Sequence, residues 1–302
     1  MTTPDSPAPT RVLLLGFGAI GRQVVLQLGP EREAGTVRVW AAERDVAASR
    51  HRAIPGVALV TTGADLDCIS WPDALAAADL VVECAGVEPA AHYGPAVIEA
   101  GTDLVLTSVG ALADGHTARR LLSGPGRLWV TSGAIGGFDV LEAAADAGGL
   151  EHVRIRTTKL PPSLLRPWMA VDEQEGLRAL RPGDAPVTVF TGGPAEAIER
   201  FPANVNVAVG LAWATRGRPE PTAAAWGAGA EVAALEASLR RVRVELVADA
   251  STTRSRHEVL AEGPAGRFEF SFESAPSPEN PRTSGLTALA VARTVREALA
   301  HR

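Results

Sequence analysis

The sequence predicts an α/β fold in two parts: an N-terminal parallel sheet wound with helices, then an α+β domain with a mixed, mostly antiparallel sheet. Three observations predict it. Short apolar runs alternate with stretches of helical spacing over roughly the first 130 residues, the rhythm of parallel strands covered on both faces by helices. A glycine-rich hexapeptide, Gly16-Phe17-Gly18-Ala19-Ile20-Gly21, stands between the first such run and the first such helix. After Gly137 the apolar residues recur with period two, which marks strands with one wet face.

Taken in order, residues 11–15 (RVLLL) form a buried strand ending at Gly16, and residues 23–28 continue the helix that the hexapeptide opens. Residues 37–42 (VRVWAA) read as the second strand and 80–84 (LVVEC) as a later one. A helix over 90–100 stops at Gly101, a residue suited to the left-handed position after a helix. Strands follow at 104–107 and 128–131, with a short helix containing 117–122 between them. In the second part, 153–158 (VRIRTT), 187–191 (VTVFT), 241–247 (RVRVELV) and 267–273 (RFEFSFE) alternate as strands, and helices fall near 194–201 and 206–215. Residues 276–281 (PSPENP) are a turn cluster, after which Thr283 or Ser284 caps a final helix over 285–300. The Pro- and Ala-rich stretch 216–226 reads as a loop insertion. Residues 1–10 are polar, carry Pro4, Pro7 and Pro9, and read as a disordered lead-in without the regions of a signal peptide.

Composition narrows the function. At 302 residues the length prior is about two domains. A net charge of −6 with no long run of either sign argues against nucleic acid or an anionic membrane as partner. No apolar run reaches the roughly 18 residues that span a bilayer. Cys68 and Cys84 are too few for a disulfide framework or a zinc site, and read as two small buried thiols in a reducing cytoplasm. Of 29 basic residues only Lys159 is a lysine, which makes it a candidate for work that a planar guanidinium cannot do.

The hexapeptide sits where a dinucleotide fingerprint must sit, after a strand and opening a helix. Gly16 permits the tight turn, Gly18 leaves room for a diphosphate, and Gly21 lets helix and strand pack closely. The first helical N–H groups, at Ala19, Ile20 and Gly21, and the positive end of the helix dipole then face the phosphates. This makes residues 1–135 a dinucleotide-binding, Rossmann-type domain and 136–280 an α+β substrate and catalytic domain. Glu43, after the second strand, is placed to bind the ribose hydroxyls of NAD, whereas Arg44 beside it suits the 2′-phosphate of NADP. The choice between NAD and NADP stays open, with a lean to NAD.

Further segments are more specific: residues 108–114 (SVGALAD), 132–137 (SGAIGG), 159–162 (KLPP), 201–208 (FPANVNVA), 247–249 (VAD) with 256–259 (RHEV), and 280–284 (NPRTS). In this order and spacing the chain resembles the L-aspartate dehydrogenase family from about residue 11 to residue 299. The resemblance implies an NAD(P)-dependent oxidation of L-aspartate to oxaloacetate and ammonia through iminoaspartate, reversibly, with the imine also available to NAD biosynthesis. It implies that His257 is the catalytic histidine and that Ala134 and Asn206 contact the cofactor. It also implies a homodimer, an active site in the cleft between the domains, and a last helix (281–302) packing back onto the Rossmann-type domain. The chain departs from the family in two places. Residues 216–239 look inserted, and Lys159-Leu160-Pro161-Pro162 stands where Lys-Pro-Pro is usual, so the substrate need not be aspartate.

The chemistry asks for a hydride acceptor, a proton acceptor, a water to attack the imine, and cations for the carboxylates of a small amino-acid substrate. No metal is demanded. His257 suits the proton work, with Asp249 or Glu258 to orient its ring. His51, His116 and His301 lie in polar or terminal stretches, and His92 and His152 border predicted elements as structural residues. Lys159 and Arg166 are candidates for a substrate carboxylate, Asn204 and Ser108 for other substrate contacts, and Asn206 for the nicotinamide amide. Asn204 fits a helix cap equally well. The alternatives are an imine reductase or dehydrogenase acting on another small acid, and a non-enzymatic NAD(H)-binding sensor.

Overall fold

The computed structural model describes residues 8–50, 53–63, 68–202, 205–218, 228–280 and 283–302. The first part of the expected lead-in, His51, Asn204, residues 219–227 of the expected insertion and Pro281 lie outside the described residues. Two compact units emerge: Met1–Ser108 with Ser123–Thr131 and Ala288–Arg302, and Val109–Leu122 with Ser132–Thr287.

The first unit opens on β1 (Thr10–Leu15), so the chain is already in a strand at the end of the expected lead-in. Then come α1 (Ala19–Gln27), α2 (Gly29–Glu33), β2 (Val37–Glu43), α3 (Val46–Arg50), β3 (Ala58–Thr61), β4 (Ile69–Ser70), α4 (Trp71–Ala77), β5 (Leu80–Glu83), α5 (Val87–Glu99), β6 (Asp103–Leu106) and β7 (Leu128–Val130). The strands make one sheet in the order β4-β3-β2-β1-β5-β6-β7, every neighbouring pair parallel. Parallel strands with both faces covered must be apolar throughout. Val12 to Leu15 and Leu80 to Val82 are accordingly buried without alternation. Chain order runs outward from β1 in one direction and from β5 in the other, so the strand order reverses between them. Open α/β sheets bind ligands beyond the carboxyl ends of the strands at such a point.

The second unit holds a 3-10 turn (Val109–Ala113), α6 (Gly115–Leu122), α7 (Phe138–Asp146), β8 (His152–Lys159), α8 (Pro161–Leu164), α9 (Val171–Ala179), β9 (Val187–Gly192), α10 (Pro194–Arg200), α11 (Asn206–Ala214), α12 (Ala228–Arg241), β10 (Val242–Ala248), β11 (Arg256–Gly263) and β12 (Gly266–Glu273). Its sheet runs β12-β11-β8-β10-β9, with β8 and β10 parallel and the other pairs antiparallel. One face is apolar: Val153 and Ile155 of β8, Val242, Val244 and Leu246 of β10, and Val259 and Ala261 of β11 are all buried. α10, α11 and α12 pack against β10. Each such Val, Ile or Leu side chain contributes about 1.5–3 kcal/mol by leaving water. The opposite face carries exposed Arg154, Arg156 and Arg243, and Glu245 takes both nitrogens of a fork from Arg156 at 2.9 and 3.0 Å.

The last helix, α13 (Gly285–Ala300), begins after Ser284, whose Oγ accepts from the Leu286 N–H at 3.2 Å, so Ser284 does the capping expected of Thr283 or Ser284. Ala288, Val291, Val295 and Ala298 join the core of the first unit with Val12, Leu14, Val24, Val25 and Leu28. Arg296 clamps Glu31 and the Gln27 carbonyl from the same helix. No helix among the described residues is long and apolar enough to cross a membrane, and no group of three metal-ligating side chains occurs among them.

Candidate functional site

The cofactor loop is built from three glycines with three different needs. Gly16 has φ of 93°, and a Cβ there would meet the Ala85 Cα at 2.7 Å. A Cβ at Gly21 would run into the Gly16 carbonyl oxygen and would lie 2.9 Å from Leu14 Cδ2, so helix and strand touch through bare backbone. A Cβ at Gly18 would meet nothing within 4 Å. Sterics inside the chain therefore explain Gly16 and Gly21, while the space over Gly18 is left open. Gly18 is also the N-cap of α1 and contributes no side-chain cap. The N–H groups of Ala19, Ile20 and Gly21 thus stand on the first turn, where no intrahelical acceptor exists for them. An open, uncapped helix start of this kind fits a diphosphate.

Glu43 closes β2 beside this loop, and its carboxylate accepts from the Phe17 N–H. Arg44 is exposed. The carboxylate thus stands beside the glycine loop and is part of what shapes it. Ser108 is buried, with both its hydroxyl and its N–H directed to the carboxylate of Glu83, at 2.9 and 2.8 Å. Its hydroxyl serves an internal bond in place of the substrate contact expected of it.

In the second unit the apolar face of the sheet ends in a polar island. Alternation along β8 carries Val153 and Ile155 on to Thr157 and Lys159, all on one face. Thr157 pairs with Leu246 of β10 and with His257 of β11, and Lys159 pairs with Ala248. Thr157, Lys159 and His257 are 1%, 7% and 4% exposed, although the first two sit two residues apart near the strand end. Thr157 Oγ1 and His257 Nδ1 share a hydrogen bond of 2.9 Å. Burial, and then the charge of Lys159, push the imidazole down to about 3. Burial, and then Arg166, push the ammonium down to about 8. The imidazole is therefore neutral and the amine charged at pH 7, a proton acceptor next to a cation in a dry setting.

Arg166 is half-buried, lies over the Phe201 ring at 5.2 Å and donates to the Ser163 and Leu165 carbonyls at 3.1 and 2.6 Å. Asn206 is the first residue of α11 and not its cap, and its Oδ1 accepts from the Gly110 N–H at 3.0 Å, tying α11 to the 3-10 turn. Ala134 is buried in the segment before α7. The structure therefore groups His257 with Lys159, and Asn206 with the 3-10 turn, in the second unit, whereas Gly16, Gly18, Ala19, Ile20, Gly21, Glu43 and Ser108 belong to the first.

Several expectations are corrected. His257 lies in β11. The ring is held by Thr157, not by Asp249 or Glu258: Asp249 accepts from the Ser251 N–H, and Glu258 pairs with Arg256 at 3.7 Å. His92 and His152 are exposed, as are His116 and His301, so among the described histidines only His257 is buried. Cys68 and Cys84 are half-buried free thiols, and Cys84 packs against the core of the first unit. Sequence reasoning missed Thr157 and Glu83. Counting by twos from Val153 would have found Thr157. Glu83 ends an apolar run, where a charge reads as the edge of a strand.

Comparison with known proteins agrees with this architecture. The family described as "Aspartate dehydrogenase, C-terminal" matches residues 139–226 and 227–298, and that described as "Homoserine dehydrogenase, NAD binding domain" matches residues 16–124. An L-aspartate dehydrogenase of Brucella anthropi is 32% identical over 296 residues, covering 96% of each chain. One of Ruegeria pomeroyi is 38% identical over 223 residues, covering 72% of this chain and 71% of its own. The crystal structure of aspartate dehydrogenase from Thermotoga maritima shares the fold, with a TM-score of 0.62 and 24% identity over 97% of this chain and 96% of that one. With a glycine loop that fits a nicotinamide dinucleotide and relatives that match it nearly end to end, the chain belongs to the L-aspartate dehydrogenase family of NAD(P)-dependent amino-acid dehydrogenases.

Proposed function

We propose that the chain oxidises L-aspartate reversibly to oxaloacetate and ammonia through iminoaspartate, with NAD as the preferred cofactor. The observation that carries this reading is the buried, neutral His257, tethered by Thr157 on the sheet face that also bears Lys159. The bound dinucleotide, held by the glycine loop and the first turn of α1, supplies the hydride acceptor.

For His257 to act as a base through Nε2, Nδ1 must carry the hydrogen and donate it to Thr157 Oγ1, an arrangement the 2.9 Å contact permits. His257 then takes a proton from the water that adds to the imine carbon. The C–N bond of the resulting carbinolamine breaks, ammonia leaves, and the carbonyl of oxaloacetate remains. Lys159 holds a substrate carboxylate. Seating an anion there offsets the charge that depresses His257, so substrate binding raises the basicity of the imidazole when it is needed.

The lean to NAD rests on Glu43, whose carboxylate would repel a 2′-phosphate. A second reading has one observation in its favour. Leu160, 46% exposed, interrupts the family's usual Lys-Pro-Pro, and a different small acid would then be the substrate. The test is oxidation of NADH and NADPH with ammonia and a panel of keto acids. The lead reading expects oxaloacetate and NADH to give the highest kcat/KM. A clear preference for another keto acid selects the second reading, and tight cofactor binding with no turnover on any acid points to a sensor. We further infer a homodimer, checked by light scattering, and a cytoplasmic setting, which the free thiols suit.

A further inference from the structure

Glu83, the last residue of β5, has no part in the chemistry above, yet it is completely buried. Its Oε1 accepts from the N–H groups of Ala85 and Gly86 at 2.7 and 2.9 Å and from the Ser108 hydroxyl at 2.9 Å, and its Oε2 accepts from the Ser108 N–H at 2.8 Å. Burying a carboxylate is unfavourable unless donors surround it. Burial holds its pKa above the ordinary carboxylate value, and these four donors offset that only in part.

Where those donors lie is informative. β5 is the neighbour of β1 across the point where the strand order reverses. Ala85 and Gly86 follow the carboxyl end of β5, and Ser108 follows that of β6. Ala85 packs directly on Gly16, the first glycine of the cofactor loop, so tightly that no Cβ fits there. Cys84 N–H extends the ladder to the Leu15 carbonyl at 2.7 Å. Gly86, with φ of 118°, is the N-cap of α5. One carboxylate thus fixes two consecutive loop starts on the ligand-binding edge and, through Ala85, the turn that opens the glycine loop.

We propose that Glu83 is a positioning residue for the cofactor: it holds the turns after β5 and β6 in the arrangement that gives the glycine loop its binding shape. The proposal rests on the chain binding a nicotinamide dinucleotide. It predicts a loss of cofactor affinity, with neither a loss of fold nor a loss of chemistry once cofactor saturates. In Glu83→Gln the amide oxygen still serves Ala85 and Gly86, but an NH2 group faces the Ser108 N–H. Ser108→Ala removes only the hydroxyl bond.

The experiment titrates the full chain with NADH and NADPH by cofactor fluorescence and records thermal unfolding and steady-state kinetics alongside. Glu83→Gln should raise the Kd for the better-bound cofactor about tenfold, and Ser108→Ala about threefold. Cooperative unfolding should persist in both, and kcat at saturating cofactor should stay within about twofold of wild type. A Kd within experimental error of wild type in both variants overturns the proposal. If Glu83→Gln does not fold, Ser108→Ala decides by the same criterion. A fall in kcat with unchanged cofactor Kd also overturns it. A wild-type chain that binds neither cofactor refutes the underlying reading, and the proposal with it.

Discussion

Thr157 and His257 face each other across the β8–β11 ladder, hydroxyl to Nδ1 at 2.9 Å, buried on the sheet face that also bears Lys159. A neutral imidazole in such a place has few ways to orient, and Thr157 decides among them. Replacing His257 with Ala should lower kcat by about 10²- to 10⁴-fold while cofactor Kd is nearly unchanged. Thr157→Val keeps the shape but frees the ring, and kcat should fall about tenfold or more. Steady-state kinetics with a parallel cofactor titration checks both. Equal loss of turnover and cofactor binding would indicate misfolding instead.

The same burial sets a pH dependence of stability. His257 is held near 3 in the folded chain against an ordinary 6.5, so the unfolded chain takes up a proton that the folded one refuses. Stability should therefore be full above pH 6.5 and fall as pH drops toward 3, by up to about 1.4 kcal/mol per pH unit from this group. Urea midpoints of wild type and His257→Gln at pH 7.5, 6.5 and 5.5 isolate it. The difference between the two should widen in favour of the variant as pH falls.

Lys159 has the opposite relation to neutral pH. Its folded value of about 8 lies below the ordinary 10.5, so at pH 7 the ammonium is charged at a cost to the fold. Lys159→Met should raise stability by about 1–3 kcal/mol at pH 7 and abolish most turnover. The gain should shrink as pH rises through 8 toward 10.5, where the folded chain sheds its proton first. A stability curve at pH 7 and pH 10 reads it, and a lower midpoint for the variant at pH 7 would contradict the electrostatics.

Two glycines two residues apart should respond differently. Gly16→Ala meets Ala85 and a positive φ, and should lower Tm by about 4 °C or more. Gly18→Val enters open space, and should leave Tm nearly unchanged while raising the cofactor Kd about tenfold or more. Thermal unfolding and fluorescence titration separate the two.

Much of this was legible in the chain. β1, β2, β5, β6 and β10 are runs whose burial follows directly from composition, and α13 spans the residues its periodicity marks. β4 escaped because a two-residue strand carries too few side chains to show a period; β3, between it and β2, escaped with it. β11 escaped for a different reason. His257 occupies one of its inward positions, Ala261 another, and glutamates flank them, so polarity at the working residue erases the alternation that would reveal the strand. The glycine loop declares itself because backbone sterics dictate its letters. Thr157 and Glu83 do not, because what makes them important is which residues lie across the ladder or the turn from them.

α13 has a consequence for how the protein is made. The helix that seals β1 and α1 begins some 270 residues after them in the chain. A ribosome must pass residue 298 before Val12, Leu14 and Val24 meet their last partners. Until then the apolar flank of the first unit lacks the helix that covers it, so its order of synthesis and its finished architecture run in opposite directions.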